Sequence, residues 1–318
     1  MPGSTGEKQQ VRRTKIHRHG WLAIDKPSGL TSTQVVGRVR YLTRAFKAGH
    51  GGTLDPLATG VLPIALGEAT KTVSFVMEGL KSYQFTICWG ERRDTDDSDG
   101  QVIACSDRRP TTAEIQAVLP SFTGEIMQKP PSYSAVKVAG RRAYEIARSD
   151  QVVELEPRPV RIERFELTQV LDADHSLFEL ECGKGGYVRA VARDLALKLG
   201  TEGHVSALRR TRVGPFTLEH AISLAQLEAL NDSAALAEQL LPLIEGLAGV
   251  PNLRVDAAQA ARLQSGQAVP LVRAPRHDDG DRIKAPAVMC AVFAERPVAL
   301  VDFRAGEIRP KRVFNFSA

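Results

Sequence analysis

The sequence holds little from which a metal centre or a disulfide framework could be built. Its four cysteines, Cys88, Cys105, Cys182 and Cys290, stand far apart with no CxxC pair. That pattern fits reduced cytosolic thiols. The seven histidines show neither HExxH nor H-x3-H spacing, so a metal enzyme is not expected. No apolar run approaches the roughly 18 residues that a membrane-spanning helix needs. The first stretch, MPGSTGEKQQVRRTKIHRHG, has no apolar segment and does not read as a secretory signal. It reads as a basic, disordered arm over residues 1–20, ending at Trp21. No internal repeat is visible. The expectation is a cytoplasmic protein with no membrane contact.

What remains is ordinary in bulk and informative in pattern. The 318 residues suit one large domain plus a small one. With 43% hydrophobic and 25% charged residues, the chain can bury a real core. A net charge of +5 and a pI near 9.1 permit a polyanionic partner without demanding one. The basic residues cluster: Arg12, Arg13, Lys15 and Arg18; then Arg38, Arg40, Arg44 and Lys47; then Arg141, Arg142 and Arg148.

Residues 21–24 read as a short strand that stops at the turn cluster Asp25-Lys26-Pro27-Ser28-Gly29. A helix follows, capped by Ser32 or Thr33, with Val35, Val39, Leu42 and Phe46 in one apolar stripe. Residues 47–60, rich in glycine, form a loop, and Val61–Leu66 a buried strand. Residues 81–89 alternate, with Tyr83, Phe85, Ile87 and Trp89 on one face. An acidic turn occupies 91–100 and a short helix 112–119. The segment 128–156 carries Pro130-Pro131 and several Lys and Arg residues, and reads as a projecting insertion. A strand at 177–182 leads through Gly183–Gly186 into a helix with Val188, Val191, Leu195 and Leu199 on one face, stopped by Gly200. Composition shifts near 244–251. Beyond it come a helix at 256–264, a polar loop from Arg276 to Lys284, and strands at 288–293, 298–303 and 307–314.

The segment Gly49-His50-Gly51-Gly52-Thr53-Leu54-Asp55-Pro56 is the most informative. Glycines allow close approach of backbone to a ligand, and Pro56 biases Asp55 toward an extended conformation that aims its carboxylate away from the chain. Taken singly, the residues also admit plain roles. Asp55 could end a turn, Tyr83 could sit in the core, His50 could be solvated, and Arg189 could be a surface residue.

Five ordered segments change the reading. They are the loop His50–Gly60; Lys81-Ser82-Tyr83; Gln128 through Lys137; Gly185-Gly186-Tyr187-Val188-Arg189; and Leu208 through Phe216. Together they resemble the TruB family of tRNA pseudouridine synthases across most of the first 215 residues. One departure is Gly51, where that family usually has threonine. The resemblance implies isomerisation of a uridine at tRNA position 55, in the T loop, to pseudouridine. Asp55 would be the nucleophile, Arg189 its partner, and Tyr83 a residue against the target base. Base flipping would extract the uridine, with His50 entering the vacated space. Tyr187 would line the pocket and Asp97 would help position Arg189 or Tyr83. Lys137, Arg141 and Arg142 would belong to an RNA-clasping insertion. The reaction conserves atoms and implies no cofactor and no metal.

The expected fold is α+β, a mixed, mostly antiparallel sheet core flanked by helices (the pseudouridine synthase fold). A catalytic domain would span 21–248 and a small, mostly-β PUA-like module 249–318. The partner is tRNA through its T arm, with no obligate protein partner and a monomeric state. Two other motifs are set aside. Asp94–Gly100 has its glycine one position late for a calcium loop and lacks the distal glutamate. Gly183–Gly186 lacks the Lys-Ser/Thr of a phosphate loop. Three alternatives stay open. One is a tRNA-binding or tRNA-folding protein in which modification is secondary, and another is a synthase acting on a different RNA. The third is a carboxylate hydrolase using Asp97 as its second acid.

Overall fold

The computed structural model describes residues 14–134, 136–138, 141–142, 155–230, 234–271, 275, 283–285 and 287–316; of Lys137, Val138, Arg141 and Arg142 it describes only the main chain. One ten-stranded sheet organises the larger part. Along it lie Ala221–Ser223, Gly20–Lys26, Thr59–Leu66, Gly203–Val213, Lys81–Trp89, His175–Cys182, Arg158–Val170 and Gly124–Gln128. Two short strands, Ala48–His50 and Phe216–Thr217, are added at the side. The pairings are antiparallel except at Ala23–Ala221 and at Arg209–Thr59. This is the mixed, mostly antiparallel sheet expected from the sequence.

The alternation in Lys81–Trp89 does what its period requires. Phe85, Ile87 and Trp89 are buried, and Phe85 stacks against Phe165 and Phe178. The helix Val188–Lys198 lays Val188, Val191 and Leu195 onto that sheet, with Leu199 buried just beyond and Gly200 leaving at φ 70°. Each such side chain contributes about 1.5–3 kcal/mol on burial.

Several expectations need correction. The helix Ser32–Thr43 is capped by Thr31 in a capping box with Gln34, not by Ser32 or Thr33. Ser32 is turned inward instead and is 2% exposed. The helix ends at Thr43 because Arg44 is left-handed, so Phe46 leaves the apolar stripe and is exposed. Its ring stacks on His17, 5.6 Å between centroids. Residues 14–20, expected within the disordered arm, are therefore ordered: Ile16 bridges Ala45, and Gly20 opens the first strand. Residues 1–13 lie outside the described residues. The loop 47–60 contains a strand, Ala48–His50, and the acidic turn 91–100 sits on a hairpin of Glu91–Arg93 with Val102–Cys105. Both hairpins were obscured by glycine and charge, which mark the turn and hide the short strands beside it.

The C-terminal part is a five-stranded sheet in the order Asn252–Arg254, Ala287–Phe293, Arg296–Arg304, Glu307–Val313, Val269–Pro270. The helix Ala257–Gln264 covers it, burying Ala260 and Leu263. This PUA-like half-barrel shares a core with the large sheet. Cys290, Leu300 and Phe314 pack in one cluster with Trp21, Phe216 and Leu247. Lys71 Nζ also donates to Val313 O at 2.7 Å.

Candidate active site

Asp55 lies in the loop between the paired strands Ala48–His50 and Thr59–Leu66. Side chains from three other elements hold the main chain on both sides of it. Arg210 donates from Nη2 to Gly52 O (3.0 Å) and from Nη1 to Thr53 O (3.1 Å). Ser32 Oγ accepts from Leu54 N (2.8 Å) and donates to Leu54 O (3.0 Å). Lys26 Nζ donates to Pro56 O at 3.1 Å and to Leu30 O at 2.7 Å. A loop held this way presents its carboxylate without further ordering cost.

Two glycines make the close packing possible. Gly60 has φ 99°, and a Cβ there would fall 2.1 Å from Arg210 O. At Gly51 a Cβ would fall 2.9 Å from Val76 Cγ1. The departure from the family pattern at this position thus coincides with a valine that fills the space.

The carboxylate of Asp55 is 37% exposed, whereas the Arg189 guanidinium that meets it is 5% exposed; Nη2 and Oδ2 are 2.9 Å apart. Arg189 also donates to Thr95 O (2.7 Å) and Tyr133 O (2.9 Å) and stands 3.5 Å from Asp97. Burial pushes the Asp97 carboxyl up, while the Thr95 hydroxyl and Arg189 oppose it. Of the two residues named for it, Asp97 stands beside Arg189.

Tyr83 pairs in register with Arg210 across neighbouring strands, so the two side chains share one face of the sheet. Burial pushes the Tyr83 hydroxyl up to about 12 against the influence of Arg210. Burial, and after it the charge of Arg210, lower His50. Tyr187 precedes the Arg189 helix, and Gln128 holds its main chain through both N and O. Its hydroxyl is raised by burial and, further down the order of causes, by the charge of Asp55.

The structure therefore brings Asp55, Arg189, Asp97, Tyr83, His50 and Tyr187 together. Lys137–Val138 pairs with Arg141–Arg142 as a short hairpin, but those side chains, and residues 143–154, lie outside the described residues. Asp94–Gly100 forms a turn in which Asp94 accepts from Gln101 N and Asp97 from Asp99 N. Among the described residues no three His, Cys, Asp or Glu side chains converge as a metal site.

Sequence reasoning missed Lys26, Ser32 and Arg210. Lys26 is fully buried, and its ammonium is lowered to about 8 by desolvation, with Asp55 opposing. Arg210, 2% exposed, was legible in part. It shares strand parity with buried Leu208, which aims it inward.

Comparison with known proteins agrees with this geometry. Residues 40–188 match the model of the TruB family pseudouridylate synthase (N terminal domain), and residues 189–248 that of the tRNA pseudouridylate synthase B C-terminal domain. The chain is 55% identical to tRNA pseudouridine synthase B of Bradyrhizobium diazoefficiens over 313 residues, 97% of this chain and 89% of that one. It is 52% identical to the protein of the same name from Rhodospirillum rubrum, over 93% of this chain and 96% of that one. A chain from a Cbf5-Nop10-Gar1 complex shares the fold with a TM-score of 0.72 at 25% identity, covering 94% of this chain and 85% of that chain. A chain from an H/ACA RNP bound to a substrate RNA containing 2′-deoxyuridine gives 0.70 at 23%, covering 93% and 85%. The chain belongs to the TruB family of pseudouridylate synthases.

Proposed function

We propose that this protein isomerises a uridine in the T loop of tRNA to pseudouridine, with Asp55 as the nucleophile. The observation that carries the reading is the Asp55–Arg189 pair, a half-open carboxylate against a buried guanidinium at 2.9 Å. The guanidinium orients the carboxylate through a charge-assisted contact. The reaction breaks the N1–C1′ bond of the nucleoside, turns the base, and joins C5 to C1′. The proton lost from C5 is balanced by one gained at N1. Asp55 bonds transiently to sugar or base and leaves again. Tyr83 lies against the base, and His50 takes the space left by the extracted uridine.

Residues 249–318 act as an RNA-gripping module, the segment from 128 to 156 clasps the T arm, and the protein works as a monomer in the cytoplasm. The names of the relatives support tRNA as the substrate. The test uses an unmodified tRNA transcript in EDTA, with pseudouridine mapped by chemical labelling. Wild type should convert one T-loop uridine. Asp55→Asn should bind the transcript with a Kd within about twofold of wild type and convert none. Turnover by Asp55→Asn would refute the nucleophile. Conversion outside the T loop would refute the target. Tight binding by wild type without conversion would favour a protein that holds or folds tRNA.

A further inference from the structure

The helix that carries Arg189 carries a second, partly buried arginine four residues on, which nothing in the isomerisation uses directly. Arg193 and Arg189 share one helix face, roughly 5–6 Å apart at Cβ. Arg193 Nη1 donates to Asp96 Oδ2 at 2.9 Å, and its Nη2 donates to Lys129 O at 2.8 Å. Arg189 makes the parallel set one turn earlier, with Thr95 O and Asp97 on one side and Tyr133 O on the other. Both arginines therefore bridge the same two segments, the turn 95–97 and the stretch 129–133.

The turn is shaped for this. Asp96 sits at φ 59°, left-handed for a non-glycine residue, a conformation that costs about 1–3 kcal/mol and persists only when its surroundings enforce it. Its main chain is held by Asp96 N to Arg93 O and by Val205 N to Asp96 O. Successive carboxylates, Asp96 and Asp97, thus meet arginines one helical turn apart. Asp96 is 8% and Arg193 15% exposed in their side chains. A buried pair of this kind roughly offsets its own desolvation, so stability alone accounts for it poorly. Burial pushes the Asp96 carboxyl up to about 6 although Arg193 and Arg189 both oppose the shift.

We propose that Asp96 and Arg193 form a positioning pair for the isomerisation. They hold the 95–97 turn and the 129–133 stretch in register on the helix, so that Arg189 keeps its carbonyl acceptors and stays aligned on Asp55. The pair acts through Arg189 and touches no substrate. This rests on the reading of Asp55 as nucleophile.

The test measures single-turnover rate at saturating unmodified tRNA transcript, Kd for that transcript, and thermal midpoint. The variants are Asp96→Asn, Arg193→Met and the two combined. Each single variant should lower the saturating rate by about tenfold or more, because small misplacements at a reacting centre are costly. Kd should stay near wild type, while either single variant lowers the midpoint by leaving one partner of the pair behind, so rates are compared below the lowest midpoint. The double variant should be no slower than Arg193→Met, which already removes the contact with Asp96 along with those to Asp194 and Lys129 O. Arg193→Lys, which keeps a cation beside Asp96, should recover part of the rate.

Saturating rates within about twofold of wild type would overturn the proposal, as would a loss that appears only in Kd or in the midpoint. If Asp96→Asn does not fold, Asp96→Glu carries the test: it keeps the charge but moves it, and an unchanged saturating rate would refute the pair. Asp55→Asn, run alongside, separates the two readings. An active Asp55→Asn protein removes the nucleophile. An inactive one beside wild-type-like pair variants removes only the positioning role.

Discussion

Replacing Arg189 with methionine keeps much of its volume and removes its charge. The loss leaves two carboxylates, Asp55 and the buried Asp97, without the guanidinium that stands 2.9 and 3.5 Å from them. It also removes the donor to Thr95 O and Tyr133 O. Breaking a buried ion pair from one side costs about 3–5 kcal/mol, mostly as the charge left behind. The Asp97 carboxyl is already raised by burial, and Arg189 is among the groups that hold it down. Without Arg189 it rises further, so the folded variant binds this proton more tightly than the unfolded chain does. Proton uptake then relieves the defect below the raised folded value. The stability deficit grows as pH rises through that value. Denaturant unfolding of wild type and Arg189→Met at pH 8 and pH 5 checks this. A deficit of about 3–5 kcal/mol at the higher pH should shrink at the lower one. A deficit that is independent of pH, or below about 1 kcal/mol at pH 8, would refute the electrostatic account.

Two other perturbations test the frame around the loop. Lys26, lowered to about 8 from lysine's ordinary 10.5, should titrate near pH 8, as read from its side-chain carbon shift by NMR; a midpoint above 10 would sink the assignment. The unfolded chain keeps this proton longer, so this group makes stability rise with pH between about 8 and 10.5. Gly60→Ala would push a Cβ to 2.1 Å from Arg210 O at φ 99°. It should cost more than about 2 kcal/mol and slow turnover, whereas an unfolding midpoint equal to wild type would show that the strand and Arg210 can move apart freely.

The elements whose signal is local were legible in the sequence. Period-two alternation marked Lys81–Trp89, a helical stripe marked Val188–Lys198, and short apolar runs marked the C-terminal strands, because a repeating pattern of burial is written along a single segment. The resemblance carried by five ordered segments pointed to Asp55, Arg189 and Asp97, and the geometry joins these three. Other features were settled at a distance. A threonine next to a serine left the helix cap undecided until Leu54, 22 residues away, claimed Ser32 for the loop. Phe46 followed the stripe in sequence but left it once Arg44 turned left-handed.

The buried cations show the division most clearly. In sequence Lys26 looks like a solvated charge and only strand parity marks Arg210, since such residues are seldom buried without partners. Their partners are main-chain carbonyls up to 158 residues away, and no local pattern encodes those. The sequence by itself determined four strands of the large sheet and the loop that carries Asp55, through local periodicity and motif, but not the long strands Arg158–Val170 and Gly203–Val213. Only the tertiary structure decided which cations would be buried around that carboxylate, because a charge enters the interior only where acceptors from distant segments already converge.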